Sequence, residues 1–256
     1  MATDPRALPA SPEGAFAAAL AGNPSAPLLT FYDAASGERV ELSARSLANW
    51  VAKTHHLLVD DLGLGPGDRA YAPLPPHWMS APALLGSWSA GLSISDDGAG
   101  AAVAFVGPDD ASAVASRPIK APDVYAISFA ALGRPFNPAP PAGTEDFVLA
   151  VRPMPDAWAS VRPPAASPDP AWDERDGRSH SRADLVRLAA DRGASLGLSP
   201  GGRLMCTGSA HWLDWLLAPL VAGCSTVLVV HVASGAAGLE SLERIAQSER
   251  VTARVG

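Results

Sequence analysis

The sequence predicts an α/β protein with two similar layered subdomains, each built on a mainly parallel sheet. Short apolar runs of strand length alternate with longer amphipathic runs of helix length, which is typical of parallel sheets covered by helices. One 17-residue segment occurs twice in closely related form. The 256 residues are enough to bury two modest hydrophobic cores.

Residues 1–150 are assigned to the first subdomain. A helix over residues 11–21 begins with a serine N-cap. Two apolar runs at 28–32 and 39–42 flank a glycine-containing turn and predict a β-hairpin. Ser43 then caps a helix whose apolar positions recur with the helical period. The remaining predicted elements are a helix at 77–90 and strands at 69–74, 92–95, 102–106, 124–129 and 147–151.

A proline-rich, acidic stretch follows. It contains six prolines, and its acidic residues include Asp169, Asp173, Glu174 and Asp176. Proline lacks a backbone N–H and disfavours helices and central strands, so we interpret residues 151–180 as an exposed connector. The second subdomain, residues 181–256, resumes the alternation. Its predicted elements are helices at 181–195, 211–222 and 239–247 and strands at 203–207 and 225–231.

Residues 62–78 (LGLGPGDRAYAPLPPHW) and 196–212 (LGLSPGGRLMCTGSAHW) form an internal repeat. Without gaps and at a constant offset of 134, eight of the seventeen positions are identical. Each copy follows an amphipathic helix and precedes an apolar helix that ends in Ala-Gly and leads into a strand. Because the order of elements is repeated along with the residues, we interpret residues 181–256 as a pseudo-repeat of about 43–96.

Composition and charge argue against several classes of partner. The net charge is −7, and the only lysines are Lys53 and Lys120, so we expect no basic surface that follows a nucleic-acid backbone. The uncharged stretch 215–230 is too short to span a membrane and is interrupted by Pro219 and Gly223. The N-terminus does not resemble a signal peptide, and the two cysteines lie in apolar surroundings that favour free thiols. We therefore expect a cytoplasmic protein without nucleic-acid or membrane partners.

Two segments resemble one enzyme superfamily. The motif LGLGPGDR at 62–69 is followed by a helix ending in GSWSAG at 86–91, and LSPGGR at 198–203 is followed by PLVAGCSTV at 219–227. In these segments the chain resembles the adenylate-forming superfamily, which includes acyl-CoA synthetases and peptide-synthetase adenylation domains. The resemblance covers about half of the chain. It implies the fold of the N-terminal part of such an enzyme and a site for an acyl group, AMP or ATP.

The resemblance also implies residues that this sequence lacks. Before the helix at 181, the superfamily has a loop rich in serine, threonine and glycine whose N–H groups and final lysine hold the phosphates of ATP. Here residues 167–177 read SPDPAWDERDG, and no lysine follows Lys120. The superfamily's later nucleotide motifs and catalytic lysine would lie beyond Gly256. We therefore assign no catalytic residue and expect that the chain does not activate an acid with ATP by itself.

The candidate ligand-binding residues are Thr207, Gly208, Ser209 and His211. The first three lie between a predicted strand and a predicted helix, where backbone N–H groups could hold a phosphate; a simple capping turn is the alternative. His211 matches the superfamily position near the acyl carboxylate. A structural role is the alternative for this histidine, because the other copy of the repeat has the same His-Trp pair at 77–78.

Two other groups of histidines have simpler explanations. His55 and His56 lack a third ligand at useful spacing, so we interpret them as part of a solvated helix face and predict no metal site. His180, Ser181 and Asp184 are close neighbours in sequence, and such neighbours seldom converge as a catalytic triad. A helix N-cap at Ser181 accounts for this group.

Three functional hypotheses follow. The first is a non-catalytic binding or partner module whose ligand is an acyl group, a nucleotide or another protein. The second is a subunit of an adenylate-forming ligase that a second polypeptide completes. The third is a structural α/β subunit that binds no small ligand. No cofactor is assigned under any of them.

Overall fold

The computed structural model describes residues 8–114, 119–157 and 169–256. The chain folds into two compact units and passes between them twice. Unit 1 consists of Met1–Ala44 together with Arg182–Gly256, and unit 2 consists of Arg45–Ser181. In sequence, unit 2 is therefore an insertion between the two segments of unit 1.

The helices and strands of the described residues are numbered in chain order. The helices are α1 (Pro12–Gly22), α2 (Ala44–His56), α3 (Ser80–Ala90), α4 (Pro108–Ala113), α5 (Phe147–Val151), α6 (Arg182–Ser195), α7 (Ala218–Val221) and α8 (Ala236–Ser248). The strands are β1 (Pro27–Asp33), β2 (Arg39–Ser43), β3 (Arg69–Tyr71), β4 (Ser93–Ser95), β5 (Val103–Val106), β6 (Asp123–Ala126), β7 (Glu145–Asp146), β8 (Pro170–Asp173), β9 (Ser179–Ser181), β10 (Arg203–Thr207), β11 (Ser225–Val230) and β12 (Ala253–Val255). Wider helical turns at Leu57–Asp61 and Leu213–Leu217 extend α2 and precede α7.

Unit 1 contains a five-stranded sheet in the order β12-β10-β11-β1-β2. The first four strands run parallel, and β2 alone is antiparallel because it is the second strand of a hairpin with β1. The continuous apolar run in β11 is typical of a strand covered on both faces. A hydrophobic cluster joins the sheet to α8 through the buried side chains of Met205, Val227, Val229 and Ala246.

Unit 2 contains a seven-stranded sheet in the order β7-β6-β5-β3-β4-β8-β9. All neighbouring strands are parallel except β8 and β9, which form an antiparallel hairpin at one edge. Strand β5 is buried at all four positions, as expected for a central parallel strand. The predicted α/β fold with mainly parallel sheets is therefore confirmed.

Local signals at the start of unit 1 act as the sequence predicts. The Ser11 hydroxyl accepts a hydrogen bond from the Gly14 N–H at 3.1 Å and caps α1. In the turn between β1 and β2, the Asp33 carboxylate accepts a hydrogen bond from the Ala35 N–H at 2.9 Å. Gly37 has a φ of +77°, which only glycine adopts without strain, and it lets the chain reverse into β2.

The two copies of the repeated segment have corresponding places in their sheets. Strand β3 pairs in parallel with β4 starting from Arg69 opposite Ser93, and β10 pairs in parallel with β11 starting from Arg203 opposite Ser225. In each sheet a third parallel strand, β5 or β12, lies on the other side of the first. In both units, therefore, the next strand in the chain lies on one side of the first strand, and the strand after that lies on its other side.

The apolar run at 147–151 predicts a strand, but the structure has helix α5 there, so this prediction is wrong. The buried Asp146 carboxylate caps the helix by accepting hydrogen bonds from the N–H groups of Val148 at 2.8 Å and Leu149 at 3.1 Å. It also accepts a hydrogen bond from the Phe136 N–H at 2.6 Å. These contacts satisfy the first N–H groups of a helix and outweigh the strand propensity of the apolar side chains.

The structure also differs from the exposed connector predicted at 151–180. Part of this stretch forms β8 and β9, and β8 pairs in parallel with β4. The Trp88 indole N–H donates a hydrogen bond to the carbonyl oxygen of the buried Ala171 at 2.9 Å, which holds β8 against α3. The part of the predicted connector at 158–168 lies outside the described residues.

The predicted boundaries at residues 150 and 180 differ from the two units of the structure. Strand β1 pairs in parallel with β11, from Leu29 opposite Thr226 to Asp33 opposite Val230. This pairing groups the first 44 residues with the C-terminal segment. The difference arises because a parallel pair joins strands that lie far apart in sequence, and local patterns do not reveal such partners.

His55 and His56 do not form the solvated helix face that the sequence predicts. His56 is buried, and its ring nitrogens lie 2.6 Å from the Asp60 carboxylate and 3.1 Å from the Ala157 carbonyl oxygen. Nδ1 of His55 lies 3.0 Å from the Ser89 hydroxyl. Each ring thus has a hydrogen-bond partner within unit 2, and such partners make the burial of a polar side chain acceptable.

Both cysteines, Cys206 and Cys224, are buried and carry free thiols, as the sequence predicts. Burial raises the pKa of each thiol above its usual range. Among the helices of the described residues, none is both long enough and apolar enough to cross a membrane.

Gly86 allows α3 to approach α2 closely. Both Gly86 and Thr54 are buried, and a Cβ atom at Gly86 would lie 2.5 Å from the Cβ and Cγ2 atoms of Thr54. We expect Gly86→Ala to lower the free energy of unfolding by about 1–3 kcal/mol, because the two helices must separate. Urea unfolding measures this change.

Gly22→Ala is the matched control for this prediction. At the end of α1, a Cβ atom on Gly22 would meet nothing within 4 Å, so the free energy of unfolding should change by less than about 1 kcal/mol. Equal losses of stability in the two variants would contradict the close contact between the two helices of unit 2.

Candidate ligand-binding site

The carboxyl ends of β10 and β12 mark the point in unit 1 where the chain changes direction across the sheet. From β10 the chain moves to β11 on one side, and from β11 it returns to β12 on the other side of β10. In open parallel sheets, ligands bind outside the carboxyl ends of the strands at such a point. Thr207 is the last residue of β10, and Gly256 is the residue after β12. The two lie close together, because a Cβ atom on Gly256 would be 2.3 Å from the Thr207 hydroxyl oxygen.

Thr207, Gly208 and Ser209, which the sequence predicts as ligand-binding residues, lie together at this edge. Gly208 has a φ of +68°, and a Cβ atom there would meet none of the described residues within 4 Å. Ser209 is exposed and Thr207 is half-buried. The loop therefore presents small polar groups beside open space, as far as the described residues extend.

His211 stands at the end of the same loop, and its side chain is exposed. Its Nδ1 accepts a hydrogen bond from the Leu213 N–H at 3.2 Å, so a neutral ring carries its proton on Nε2. The ring also contacts Trp212, with ring centroids 4.5 Å apart. The structure thus keeps all four predicted residues in one loop, and the backbone of the following turn holds the histidine.

The corresponding loop of unit 2 has the same histidine contact but a filled edge. Nδ1 of His77 accepts a hydrogen bond from the Met79 N–H at 3.0 Å, as its counterpart does in unit 1. His77 is buried, however, and its ring centroid lies 4.3 Å from that of Phe129. A Cβ atom on Gly107, at the end of β5, would lie 3.0 Å from the Phe129 ring. The Phe129 ring therefore covers His77 in unit 2, whereas its counterpart His211 in unit 1 is exposed.

The two loops also differ in their backbone donors. At the positions of TGSA (207–210) in unit 1, unit 2 has PLPP (73–76). Three of these four residues are prolines, which have no N–H group to offer a ligand. The loop of unit 1 contains no proline, so each of its four residues has a backbone N–H group. Of the two copies, this one therefore combines an exposed edge with a full set of backbone donors.

Cys206, the residue before Thr207, is excluded as a nucleophile. Burial raises the pKa of its thiol to about 12, and the nearby Asp214 carboxylate acts in the same direction while Arg192 opposes it. Asp214 pairs with Arg192 at 2.6 Å. Because the thiolate is the reactive form of cysteine, this thiol stays protonated and unreactive near neutral pH.

Three carboxylates of the predicted acidic stretch, those of Asp173, Glu174 and Asp176, are paired with arginines inside unit 2. Asp173 accepts a hydrogen bond from the Ser93 hydroxyl at 2.6 Å and lies 3.4 Å from the Arg69 guanidinium. Glu174 pairs with Arg178 at 2.6 Å across the hairpin of β8 and β9. The described part of this stretch is therefore an antiparallel hairpin at the edge of the sheet, held by ion pairs, which is a different structure from a phosphate-binding loop.

The structure does not assemble His180, Ser181 and Asp184 as a triad. Nε2 of His180 lies 2.5 Å from the Glu174 carboxylate, and Asp184 pairs with Arg187 instead. Within the ranges that the structure describes, no group of three or more His, Cys, Asp or Glu side chains could hold a metal ion.

An ion network that sequence reasoning missed supports the strand that carries the candidate loop. Glu249 follows α8 and accepts hydrogen bonds from three side chains of unit 1: Tyr32, Arg39 and Arg203. Burial acts to raise the pKa of the Glu249 carboxyl, but these hydrogen bonds outweigh it and lower the pKa below its usual range. The only sequence signal for this network is the arginine that opens the strand in both copies of the repeat.

Comparison with known sequences identifies one close relative. No protein-family model matches the chain. A curated protein of Mycobacterium tuberculosis (strain ATCC 25618 / H37Rv), described as a "TIGR03089 family protein", is 37% identical over 219 residues. The match covers 83% of this chain and 86% of that protein, so the two share nearly their whole length.

Comparison with solved structures finds the adenylate-forming fold. An acyl-CoA synthetase of Brucella canis superposes with a TM-score of 0.71 at 19% identity, covering 95% of this chain and 46% of that one. The acetoacetyl-CoA synthetase of Streptomyces lividans gives a TM-score of 0.69 at 20% identity, covering 94% and 41%. The chain therefore spans less than half the length of these enzymes, and the likeness concerns the fold.

Glu249→Gln tests the ion network of unit 1. Glu249 and Arg203 are 9% and 14% exposed, so removing one charge leaves its partner largely buried. We expect a loss of roughly 3 kcal/mol in the free energy of unfolding at neutral pH. Because the folded state lowers the pKa of this carboxyl, its stabilisation is present at neutral pH and is lost as the pH falls below about 4.3. The difference between parent and variant should therefore shrink in acid.

The control for Glu249 is Glu243→Gln on the exposed face of α8. Glu243 pairs with Arg254, and both side chains are about half exposed, at 53% and 50%. Such a surface pair contributes about 0–1 kcal/mol. Chemical denaturation of both variants at several pH values measures the contrast. A pH-independent difference for Glu249→Gln would contradict the assigned direction of its pKa.

Proposed function

Because this chain belongs to the TIGR03089 family and has the fold of the N-terminal part of adenylate-forming enzymes, we propose that it is a binding module. In this proposal it binds an acyl group or a nucleotide at the carboxyl edge of β10 and β12 and does not activate an acid by itself. Thr207, Gly208, Ser209 and His211 form the binding loop. The protein acts in the cytoplasm, which its two buried free thiols favour.

One observation carries the proposal: the loop at this sheet edge is mostly exposed in unit 1 and mostly buried in unit 2. The two loops occupy corresponding places, yet one has TGSA and an exposed histidine while the other has PLPP and a buried histidine. A purely structural role would be served equally well by the filled version. We propose that the internal repeat is a duplicated unit of which only one copy keeps a binding edge.

The absence of activity in the isolated chain follows from charge. Acid activation requires fixed positive groups around the phosphates, and such electrostatic stabilisation is usually the largest part of catalysis. The described part of the acidic stretch holds carboxylates paired with arginines, and the loop of unit 1 contains no lysine or arginine. Removing one such donor from an enzyme costs about 10²–10³ in rate, so lacking several leaves no useful activity.

A ligand screen by thermal unfolding tests the binding loop. ATP, AMP, CoA and a non-hydrolysable acyl-adenylate analogue are each added to the full chain. A ligand at one hundred times its Kd adds about 2.7 kcal/mol to stability. For a chain of this size, that corresponds to a midpoint increase of about 5–10 °C. We expect at least one ligand to raise the midpoint and His211→Ala to weaken that increase.

His231→Ala is the matched control for the screen. His231 is exposed in the same unit, and its contact is with Asp33 rather than with the candidate loop. The ligand-induced increase should persist in this variant. If no ligand in the panel raises the midpoint of the parent, or if both histidine variants respond alike, the proposed site is wrong and a structural subunit without a ligand is favoured.

Pyrophosphate exchange tests the proposed lack of catalysis. The chain, ATP, Mg²⁺ and a panel of carboxylic acids should give exchange no faster than the same mixture without acid. The physical reason is that no cationic loop is available to hold the leaving pyrophosphate. Exchange that depends on both acid and ATP would show that the chain activates acids alone, which contradicts the proposal.

A ligase completed by a second polypeptide is the other candidate function. The observation in its favour is that the fold accounts for only 46% and 41% of the two synthetases described above. Purification from the native organism under mild conditions distinguishes the two. A stable partner that restores acid-dependent exchange supports this second candidate, whereas a chain that purifies alone and binds a ligand supports the first.

A further inference from the structure

Unit 2 contains a small cleft of about 210 Å³ that has no part in the loop of unit 1. It lies between α2, the helical turn Ala131–Gly133 and the residue that follows α5. Its lining residues are Asn49, Trp50, Lys53, Leu132, Gly133 and Arg152. None of these six side chains carries a negative charge, although the chain as a whole is acidic.

Trp50 and Gly133 form the apolar wall of the cleft. Trp50 is half-buried and packs edge to face on Trp78, with ring centroids 5.9 Å apart. A Cβ atom on Gly133 would lie 2.9 Å from the Trp78 ring and 3.5 Å from the Trp50 ring. Only glycine therefore lets the turn approach the two indole rings this closely, and its lack of a side chain leaves room beside Trp50.

Leu132 forms an apolar rim above this wall. It is 81% exposed, and its φ of +61° is rare for any residue other than glycine. The turn is fixed on both sides, because Ala130 and Arg134 form a bridge and the Ser128 hydroxyl donates a hydrogen bond to the Arg134 carbonyl oxygen. The turn thus holds a large apolar side chain in a strained and exposed position at the rim of the cleft.

Lys53 and Arg152 supply the polar side of the cleft. The Lys53 ammonium donates hydrogen bonds to the carbonyl oxygens of Arg152 at 3.2 Å and Met154 at 2.5 Å, so it is fixed in position but not neutralised. Arg152 is exposed, and its guanidinium has neither a hydrogen bond nor an ion pair within the described residues. Two positive charges thus lie beside an aromatic wall, and no carboxylate balances them among the lining residues.

We propose that this cleft binds a small carboxylic acid with an apolar body. The carboxylate accepts hydrogen bonds from the Arg152 guanidinium, whose planar fork matches its two oxygens, and the Lys53 charge adds to the attraction. The body, a single ring or a short alkyl chain, lies between Trp50 and Leu132. A cleft of about 210 Å³ suits a molecule of this size. The proposal does not depend on the loop of unit 1, because the two sets of residues are different.

Titration of the full chain with phenylacetate, hexanoate and the neutral analogue phenylacetamide tests the proposal. Calorimetry gives the affinity, and the indole N–H signals in NMR report on the tryptophans, with Trp50→Phe assigning the signal of Trp50. We expect saturable binding of at least one acid, a shift of the Trp50 signal, and affinity at least about tenfold weaker for phenylacetamide. Arg152→Gln should weaken acid binding by a similar factor, because it removes a charge-assisted hydrogen bond.

Two controls keep the experiment decisive. Arg187→Gln removes an exposed arginine of unit 1 and should leave the affinity for acids unchanged. Arg152→Lys keeps the charge without the planar fork and should restore part of the lost affinity. An unchanged thermal midpoint shows that each variant folds, as expected for exposed positions. The proposal is wrong if neither acid binds, if phenylacetamide binds as well as phenylacetate, or if Arg152→Gln retains full affinity.

Discussion

The parallel pairing of β1 with β11 is the constraint on which the rest of the structure depends. It joins strands about 200 residues apart, from Leu29 opposite Thr226 to Asp33 opposite Val230. Closing so long a loop costs conformational entropy, and the buried apolar strand β11 must recover that cost. Once the pair has formed, residues 45–181 become an insertion with a sheet of their own. On its other side, β11 pairs in parallel with β10, the strand that carries the candidate loop.

The two units have corresponding strand arrangements but different loops at the carboxyl edge, which is the basis of the proposed binding site in unit 1. In both units a central strand has neighbours reached in opposite directions, so both have an edge suited to a ligand. In unit 2, prolines and Phe129 fill that edge, and the imidazole of His77 is buried beneath it. In unit 1, Gly208 and Ser209 leave it open. The proposed function therefore rests on a few loop residues placed by a rigid scaffold, which is the usual arrangement in α/β proteins.

Local patterns in the sequence predict most helices and parallel strands, and they also predict the loop from Thr207 to His211. They fail where a distant partner decides the structure. The apolar run at 147–151 is a helix because the Asp146 carboxylate caps it, and β8 is a strand because β4 lies beside it. The cleft in unit 2 is even harder to predict from local patterns, since Trp50 lies far in sequence from Gly133 and Arg152, which line the cleft with it. No periodicity or motif links residues that are about 80–100 positions apart.

The placement of arginines bears on the proposal that the chain binds a ligand without catalysing its activation. The arginines near the strand edges are paired with carboxylates: Arg69 with Asp173, Arg192 with Asp214 and Arg203 with Glu249. Moving Arg203 toward a phosphate would leave the Glu249 carboxylate buried without its partner, which costs several kcal/mol. All three arginines are thus engaged in ion pairs within the protein, and Arg203 in the most buried of these pairs. A ligand at the edge of β10 must be held by N–H groups, hydroxyls and an imidazole, and such groups recognise a molecule without stabilising the charge that develops during phosphoryl transfer.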